Sequence, residues 1–111
     1  MKNLTLSWIL LFTAGLLEVA TTTVFRYTDG LTRVVPTIAF FALGVASFYF
    51  LFRSLAGIPL GTAYAVWTGI GAAGTAIIGI IFHAEPATTI RLVLLSLLIG
   101  SIMGLKLVSN G

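Results

Sequence analysis

The chain lacks cysteine and has few charged residues. Only 8% of its 111 residues are charged, against about 25% in an average soluble domain. No Cys and a single His are present, which excludes a disulfide framework, a thiolate metal site and a multi-histidine metal site within one chain. The net charge of +3 is spread along the sequence without a basic patch, so nucleic-acid binding is not expected. We therefore predict neither a metal nor another cofactor.

Apolar residues dominate instead, at 59% of the chain. A chain this short could not hide so much apolar surface in one globular core. Four apolar runs, at about residues 4–25, 34–52, 60–82 and 88–108, are each long enough to cross a hydrocarbon layer of about 30 Å. We therefore predict an all-α membrane protein, with a single four-helix transmembrane domain over residues 1–111.

One acid, Glu18, lies inside the first apolar run. An ionised carboxylate in hydrocarbon is costly and usually marks a functional site that faces a bundle interior or a cavity. Either Glu18 binds a cation and a proton alternately, or it is a neutral structural carboxyl bonded between helices. Helical spacing places six residues on or near its face, most of them small or hydroxylated: Leu11, Ala14, Gly15, Thr21, Thr22 and Phe25. His83 and Glu85, in the third connection, are predicted to be solvated.

The third run has an aromatic and small stripe at helical spacing, formed by Tyr64, Trp67, Gly71 and Gly74. Aromatic rings beside a buried carboxylate suit a cation. The alternative is an aromatic belt at the membrane interface, which suits Tyr64 better than Trp67. In the second run, Ser47 is either a polar cavity residue or a hydroxyl bonded back to its own helix.

Glycine patterns indicate close helix contacts. Residues 69–74 match G-x-G-x-x-G, but a dinucleotide site needs a preceding strand, so we interpret these glycines as packing positions or a kink. Ser96, Gly100 and Gly104 form a small-residue ridge on the fourth run. This ridge predicts a contact with a second copy of the chain, and the alternative is packing within its own bundle.

The Lys and Arg residues are balanced between the two ends of the predicted helices. Lys2, Arg53 and Lys106 fall at one end, and Arg26, Arg33 and Arg91 at the other. Because such residues set orientation in short-loop membrane proteins, this balance predicts insertion in both directions. Two oppositely inserted copies could then pair about an axis in the membrane plane.

Several segments together resemble the small multidrug resistance family of four-helix, proton-coupled exporters. They are Glu18-Val19 with Thr22-Thr23, residues 30–33 with Pro36, residues 46–48 and residues 58–67. The resemblance implies an antiparallel homodimer in a bacterial-type inner membrane, with protons and small organic cations as its other partners. It also implies a shared site in which Glu18 binds protons and substrate, Tyr64 and Trp67 line the site, and Ser47 supports Glu18. The full expected substrate- and proton-binding set is Glu18, Trp67, Tyr64, Ser47, Thr21, Thr22 and Ala14.

The resemblance points to two substrate classes. Residues 67–72, 85–86 and 104–106 look like the guanidinium-exporting branch. That branch usually has Trp three residues after the glutamate, where Thr21 stands here. A wider site would admit bulkier cations, so the main expectation is export of quaternary ammonium compounds and drugs, with guanidinium compounds as the alternative. A structural or regulatory membrane subunit without transport activity remains a further alternative. No nucleophile–base pair indicates an enzyme.

Overall fold

The computed structural model describes residues 4–108, which form four helices. These are α1 (Leu4–Phe25), α2 (Val34–Ser54), α3 (Leu60–Phe82) and α4 (Thr89–Val108), and a short 3₁₀ helix, Arg26–Thr28, follows α1. Each of the four is long and apolar enough to cross a membrane. The predicted all-α, four-helix membrane fold is therefore confirmed. Lys2 and the tail from residue 109 onward lie outside the described residues.

Two helix boundaries differ slightly from those predicted. The helix α2 continues to Ser54 instead of residue 52, and the Ser54 hydroxyl donates a hydrogen bond to the Leu51 carbonyl over 2.6 Å. The helix α4 begins at Thr89 because Thr88 caps it: the Thr88 hydroxyl accepts a hydrogen bond from the Arg91 amide over 3.3 Å. A Thr hydroxyl in this position satisfies an amide that has no partner inside the helix. Pro36 lies in the first turn of α2, as predicted.

The helices form a thin slab, with Cα extents of 44 × 36 × 17 Å. The helix α1 packs against both α2 and α3, and α4 lies mainly against α3. The core consists of Trp8, Leu11, Ala14, Leu51, Ile58, Ala63, Val66, Trp67 and Ile102. Ile102 is the buried residue of α4, and most of the other side chains of that helix are exposed or only partly buried in the described chain.

Glycines bring α3 close to its neighbours, which confirms their interpretation as packing positions. A Cβ atom added to Gly69 would lie 2.8 Å from the Ile102 side chain on α4, and one added to Gly71 would lie 2.7 Å from Cγ of Glu18 on α1. A Cβ on Gly74 would collide with Val19. Real Cβ atoms hardly ever come so close to another heavy atom, so larger residues here would push the helices apart.

Candidate functional site

The site forms where α1 and α3 run side by side in the same direction. Glu18 on α1 faces Gly71 on α3, and one turn further along, the hydroxyls of Thr22 and Thr75 are 2.5 Å apart. Spacings of four residues place side chains in a row along a helix. Helix α1 contributes Glu18 and Thr22, and Arg26 follows four residues after Thr22, at the start of the 3₁₀ helix. Helix α3 contributes Gly71, Thr75 and Gly79. We call these six residues the polar row.

A cleft of about 390 Å³ runs along four residues of the polar row, Glu18, Thr22, Gly71 and Thr75. It is lined by Glu18, Thr22, Thr68, Gly71, Ala72, Thr75, Ala76, Glu85 and Arg91. Its volume lies within the range of small-molecule sites, roughly 300–1,000 Å³. Of the seven expected substrate- and proton-binding residues, Glu18 and Thr22 line it.

The threonines of the cleft present mainly hydrogen-bond acceptors. The Thr68 hydroxyl donates to the Tyr64 carbonyl over 2.8 Å, and the Thr22 hydroxyl lies 3.0 Å from the Val19 carbonyl. A hydroxyl has one hydrogen to donate and two lone pairs. Once its hydrogen is bonded to the backbone, the oxygen can only accept. The wall beside Glu18 is thus suited to a cation with N–H groups.

A charged cluster forms the other end of the cleft. The Glu85 carboxylate lies 3.1 Å from Nη2 of Arg91 and 3.7 Å from Nη1 of Arg26. Nη1 of Arg91 also donates to the Pro86 carbonyl over 2.9 Å. The Glu85 side chain is 38% exposed, in keeping with a solvated residue, but its place in the same cleft as Glu18 was not foreseen. The signal available in the sequence was that the connections after α1 and α3 fall on the same side of the membrane.

Ser47 joins three helices rather than contacting Glu18. It is fully buried on α2, where its hydroxyl donates to the Ala14 carbonyl on α1 over 2.8 Å and accepts a hydrogen bond from Nε1 of Trp67 on α3 over 2.9 Å. Its single hydrogen is thereby used. In the described chain Ser47 therefore bonds to Ala14 and Trp67, and the support for Glu18 implied by the family resemblance stays a prediction.

Trp67 and Tyr64 lie toward the opposite end of α3 from Glu85. The Trp67 ring is buried and packs against Phe48, with ring centroids 5.0 Å apart. The Tyr64 ring is exposed, and its centroid is 5.7 Å from that of Trp67. A buried Trp does not fit an interfacial belt, because such residues sit at headgroup level. On α3, Trp67 and Tyr64 lie on the same face as Gly71, one and two helical turns before it. Within the described chain they do not line the cleft.

Thr21 points away from the cleft. Its hydroxyl donates to the Leu17 carbonyl over 2.7 Å, and its methyl group would lie 3.7 Å from a Cβ on Gly44 of α2. The residue is buried between α1 and α2. The small side chain at position 21 therefore does not widen the cleft in which Glu18 lies.

The small-residue ridge of α4 has open space beside it within the described chain. A Cβ added to Gly100 or Gly104 would meet nothing within 4 Å. The Ser96 hydroxyl is bonded back to the Leu92 carbonyl over 2.8 Å. Gly100 lies two residues before the buried Ile102, and two residues are about 200° around a helix. The ridge therefore faces away from the chain's own bundle.

Comparison with known proteins agrees with this architecture. Residues 6–98 match the family model described as "Small Multidrug Resistance protein". A protein of Proteus vulgaris named guanidinium exporter is 48% identical over 104 residues, covering 94% of this chain and 100% of that protein. Proteins of the same name are 48% identical over 102 residues in Citrobacter freundii, and 45% identical over 104 residues in Yersinia pseudotuberculosis. The Citrobacter match covers 92% of this chain and 97% of that protein, and the Yersinia match covers 94% of this chain and 100% of that protein.

The family model spans most of the chain, and the relatives are similar over nearly their whole length. Together with the four membrane-spanning helices, these similarities identify a multi-pass protein of the bacterial inner membrane. Its family consists of transporters rather than enzymes. The chain belongs to the small multidrug resistance family of membrane transporters.

Proposed function

We propose that this protein exports guanidinium-type cations in exchange for protons, with Glu18 as the group that both bind. The observation that supports this most directly is the chemistry of the cleft, where the Glu18 carboxylate lies beside the hydroxyl oxygens of Thr22 and Thr68, whose hydrogens are bonded to the backbone. A guanidinium ion offers planar N–H donors that match both a carboxylate and neighbouring acceptors. The names of the relatives agree with this substrate class.

Quaternary ammonium export, the main expectation from the sequence, is less well supported than its guanidinium alternative. A quaternary ammonium ion has no N–H group, so the oxygens of Thr22, Thr68 and Thr75 would gain no hydrogen bonds from it. The argument for a wide site rested on the small side chain of Thr21, which lies against α2 instead.

Exchange follows from the single negative charge of the Glu18 carboxylate. In the ionised form it attracts a cation, and in the protonated form it does not, so a proton and a cation compete for the same group. On either side of the membrane, binding of a proton to Glu18 therefore releases the cation, and binding of the cation releases the proton. Gly71 makes this possible sterically, because a side chain there would occupy the space of the Glu18 Cγ atom.

The transporting unit we propose is two copies inserted in opposite directions, with their Glu18 residues sharing one site. The thin slab and the nearly unpartnered α4 leave large apolar faces that a second copy can cover. The open ridge of Ser96, Gly100 and Gly104 allows close approach of another helix. The equal distribution of Lys and Arg between the two ends of the helices removes the bias toward one orientation.

Equilibrium binding of guanidinium and of tetraethylammonium to the purified dimer tests this proposal. We expect guanidinium to bind more tightly, and its affinity to fall as pH drops through the titration of the shared Glu18 pair, by about tenfold per pH unit for each proton taken up when the cation leaves. Glu18→Gln should abolish the tight, proton-coupled binding at this position and the proton release that accompanies it, while leaving the dimer folded. Asp29→Asn, which removes an exposed acid in the connection after α1, is the control and should bind normally. Unchanged, pH-dependent binding by Glu18→Gln would refute the mechanism.

A further inference from the structure

Besides Glu18, one other carboxylate, that of Glu85, lines the cleft in the described chain. Glu18 lies beside Gly71 and Glu85 beside Gly79. These glycines are eight residues apart on α3, or about 12 Å along the helix axis. The paired hydroxyls of Thr22 and Thr75 lie between the two acids. The polar row therefore connects a carboxylate within the membrane span to a second carboxylate near the end of the helices.

The position of Glu85 is specific. Its backbone amide donates to the Gly79 carbonyl over 3.1 Å, and its carboxyl group occupies the space that a side chain on Gly79 would need. This places a negative charge beside the last turn of α3, where the helix end has a partial negative charge of its own. A carboxylate there is unfavourable unless cations compensate it, and Arg26 and Arg91 do so.

Both groups that compensate Glu85 are guanidinium groups. The Arg91 and Glu85 side chains are 33% and 38% exposed, and the contact with Arg26 is 3.7 Å long. Ion pairs with this degree of exposure are weak, so a free guanidinium ion can displace an arginine without a large loss. The two arginine side chains thus bind the Glu85 carboxylate through the same chemical group as the proposed substrate, a guanidinium ion.

We propose that Glu85 is a second binding site for guanidinium-type cations, at which the substrate pauses on its way to or from Glu18. Arg91 and Arg26 occupy this site when no substrate is present. The Thr22–Thr75 hydrogen bond separates the two positions and opens when the cation passes. This inference rests on the proposed function, because it assumes that guanidinium is the transported ion.

Glu85→Gln tests the site by transport kinetics, with Asp29→Asn as the matched control, since it removes the third acid of the chain on the same side. Initial rates of guanidinium uptake into proteoliposomes should show a fall in kcat/KM of about tenfold for Glu85→Gln, at the low end of electrostatic steering effects. Equilibrium affinity at Glu18 should change by less than about twofold, because the glycines beside the two acids are about 12 Å apart along α3 and charges in a water-filled cleft are largely screened beyond about 10 Å at 0.1 M salt. Uptake kinetics of Glu85→Gln equal to those of Asp29→Asn would overturn the proposal.

Arg91→Gln separates substrate binding from a structural role of the ion pair. If Glu85 binds substrate, removal of its competitor should raise kcat/KM, and the double variant should behave like Glu85→Gln alone. If the ion pair only holds the connection in place, both single variants lower kcat/KM together, and the proposal is wrong.

Direct observation of the carboxylate covers the case in which Glu85→Gln does not fold. In Glu18→Gln, the side-chain carboxyl ¹³C resonance of Glu85 should shift on titration with guanidinium chloride but not with sodium chloride. The Asp29 resonance in the same spectrum is the internal control. Equal shifts at both acids, or none at Glu85, would overturn the proposal. If no shift at Glu85 accompanies a loss of pH-dependent binding in Glu18→Gln, this inference alone fails, whereas persistent pH-dependent binding without a shift at Glu85 would refute the proposed function as well.

Discussion

Removal of the Ser47 hydroxyl should destabilise the protein, because this hydroxyl connects α2 to both α1 and α3 by hydrogen bonds. The residue is fully buried and makes two hydrogen bonds, of 2.8 Å to Ala14 and 2.9 Å from Trp67. In Ser47→Ala the Ala14 carbonyl keeps its partner within α1. The indole N–H of Trp67, in contrast, loses its acceptor in a buried position.

An unsatisfied buried donor costs about 1–3 kcal/mol in soluble proteins. Hydrogen bonds between membrane helices contribute less, about 0.6 kcal/mol on average and up to about 1.7. Because Ser47 makes two such bonds, we expect a loss of about 1–2 kcal/mol in the free energy of unfolding. This corresponds to a change of about 5- to 30-fold in the ratio of folded to unfolded protein.

Reversible unfolding in mixed detergent micelles, followed by the fluorescence of Trp8 and Trp67, measures this loss. The matched control is Ser101→Ala, since the exposed Ser101 hydroxyl bonds only to the Leu97 carbonyl of its own helix, over 2.8 Å. Surface changes of this kind usually alter stability by less than about 0.5 kcal/mol. Equal effects of the two substitutions would refute the view that Ser47 holds the helices together.

Two further predictions concern the proposed pair of copies. Gly100→Leu should leave the single chain intact, because nothing lies within 4 Å of the added Cβ, but should weaken dimerisation by about 1–3 kcal/mol through overpacking, as measured by energy transfer between labelled copies. Leu94→Ala, which is 57% exposed and about 120° away around α4, is the control, and equal dimer affinities would place the interface elsewhere. A reporter fused to the C-terminus should be detected on both sides of the membrane, whereas detection on one side alone would contradict dual insertion.

The helices could be predicted from the sequence because each apolar run ends at polar or turn-forming residues. The start of α4 differed by one residue because the Thr88 side chain acts as a cap, a role that composition does not reveal. Contacts between helices were harder to predict. Thr21 and Thr22 both lie near Glu18 in helical spacing, yet Thr21 packs toward α2 and Thr22 contacts Thr75 on α3. Helical periodicity gives the angle of a side chain, but not the identity of its neighbour.

Glu85 illustrates the same limit for the site. In sequence it is an acid beside a proline in a polar connection, and such residues are usually solvated. Its location follows from the contact of α1 with α3, which brings Arg26 to the Glu85 carboxylate, while the first turn of α4 supplies Arg91. Gly79 supplies the space. Each of these residues is unremarkable alone, and their combination depends on tertiary packing.

The two halves of the α1–α3 contact differ in chemistry, and this difference has a consequence for exchange. On one side of Glu18 lie the rings of Trp67 and Tyr64, and on the other lie hydroxyls that lead to Glu85. In the proposed antiparallel pair, the aromatic half of one copy lies on the same side of the membrane as the charged half of its partner. Each membrane face then presents both kinds of surface. A movement that exchanges the roles of the two copies therefore opens the shared site to the opposite side without a change in its chemistry, which is the property that an exchanger of protons and cations needs.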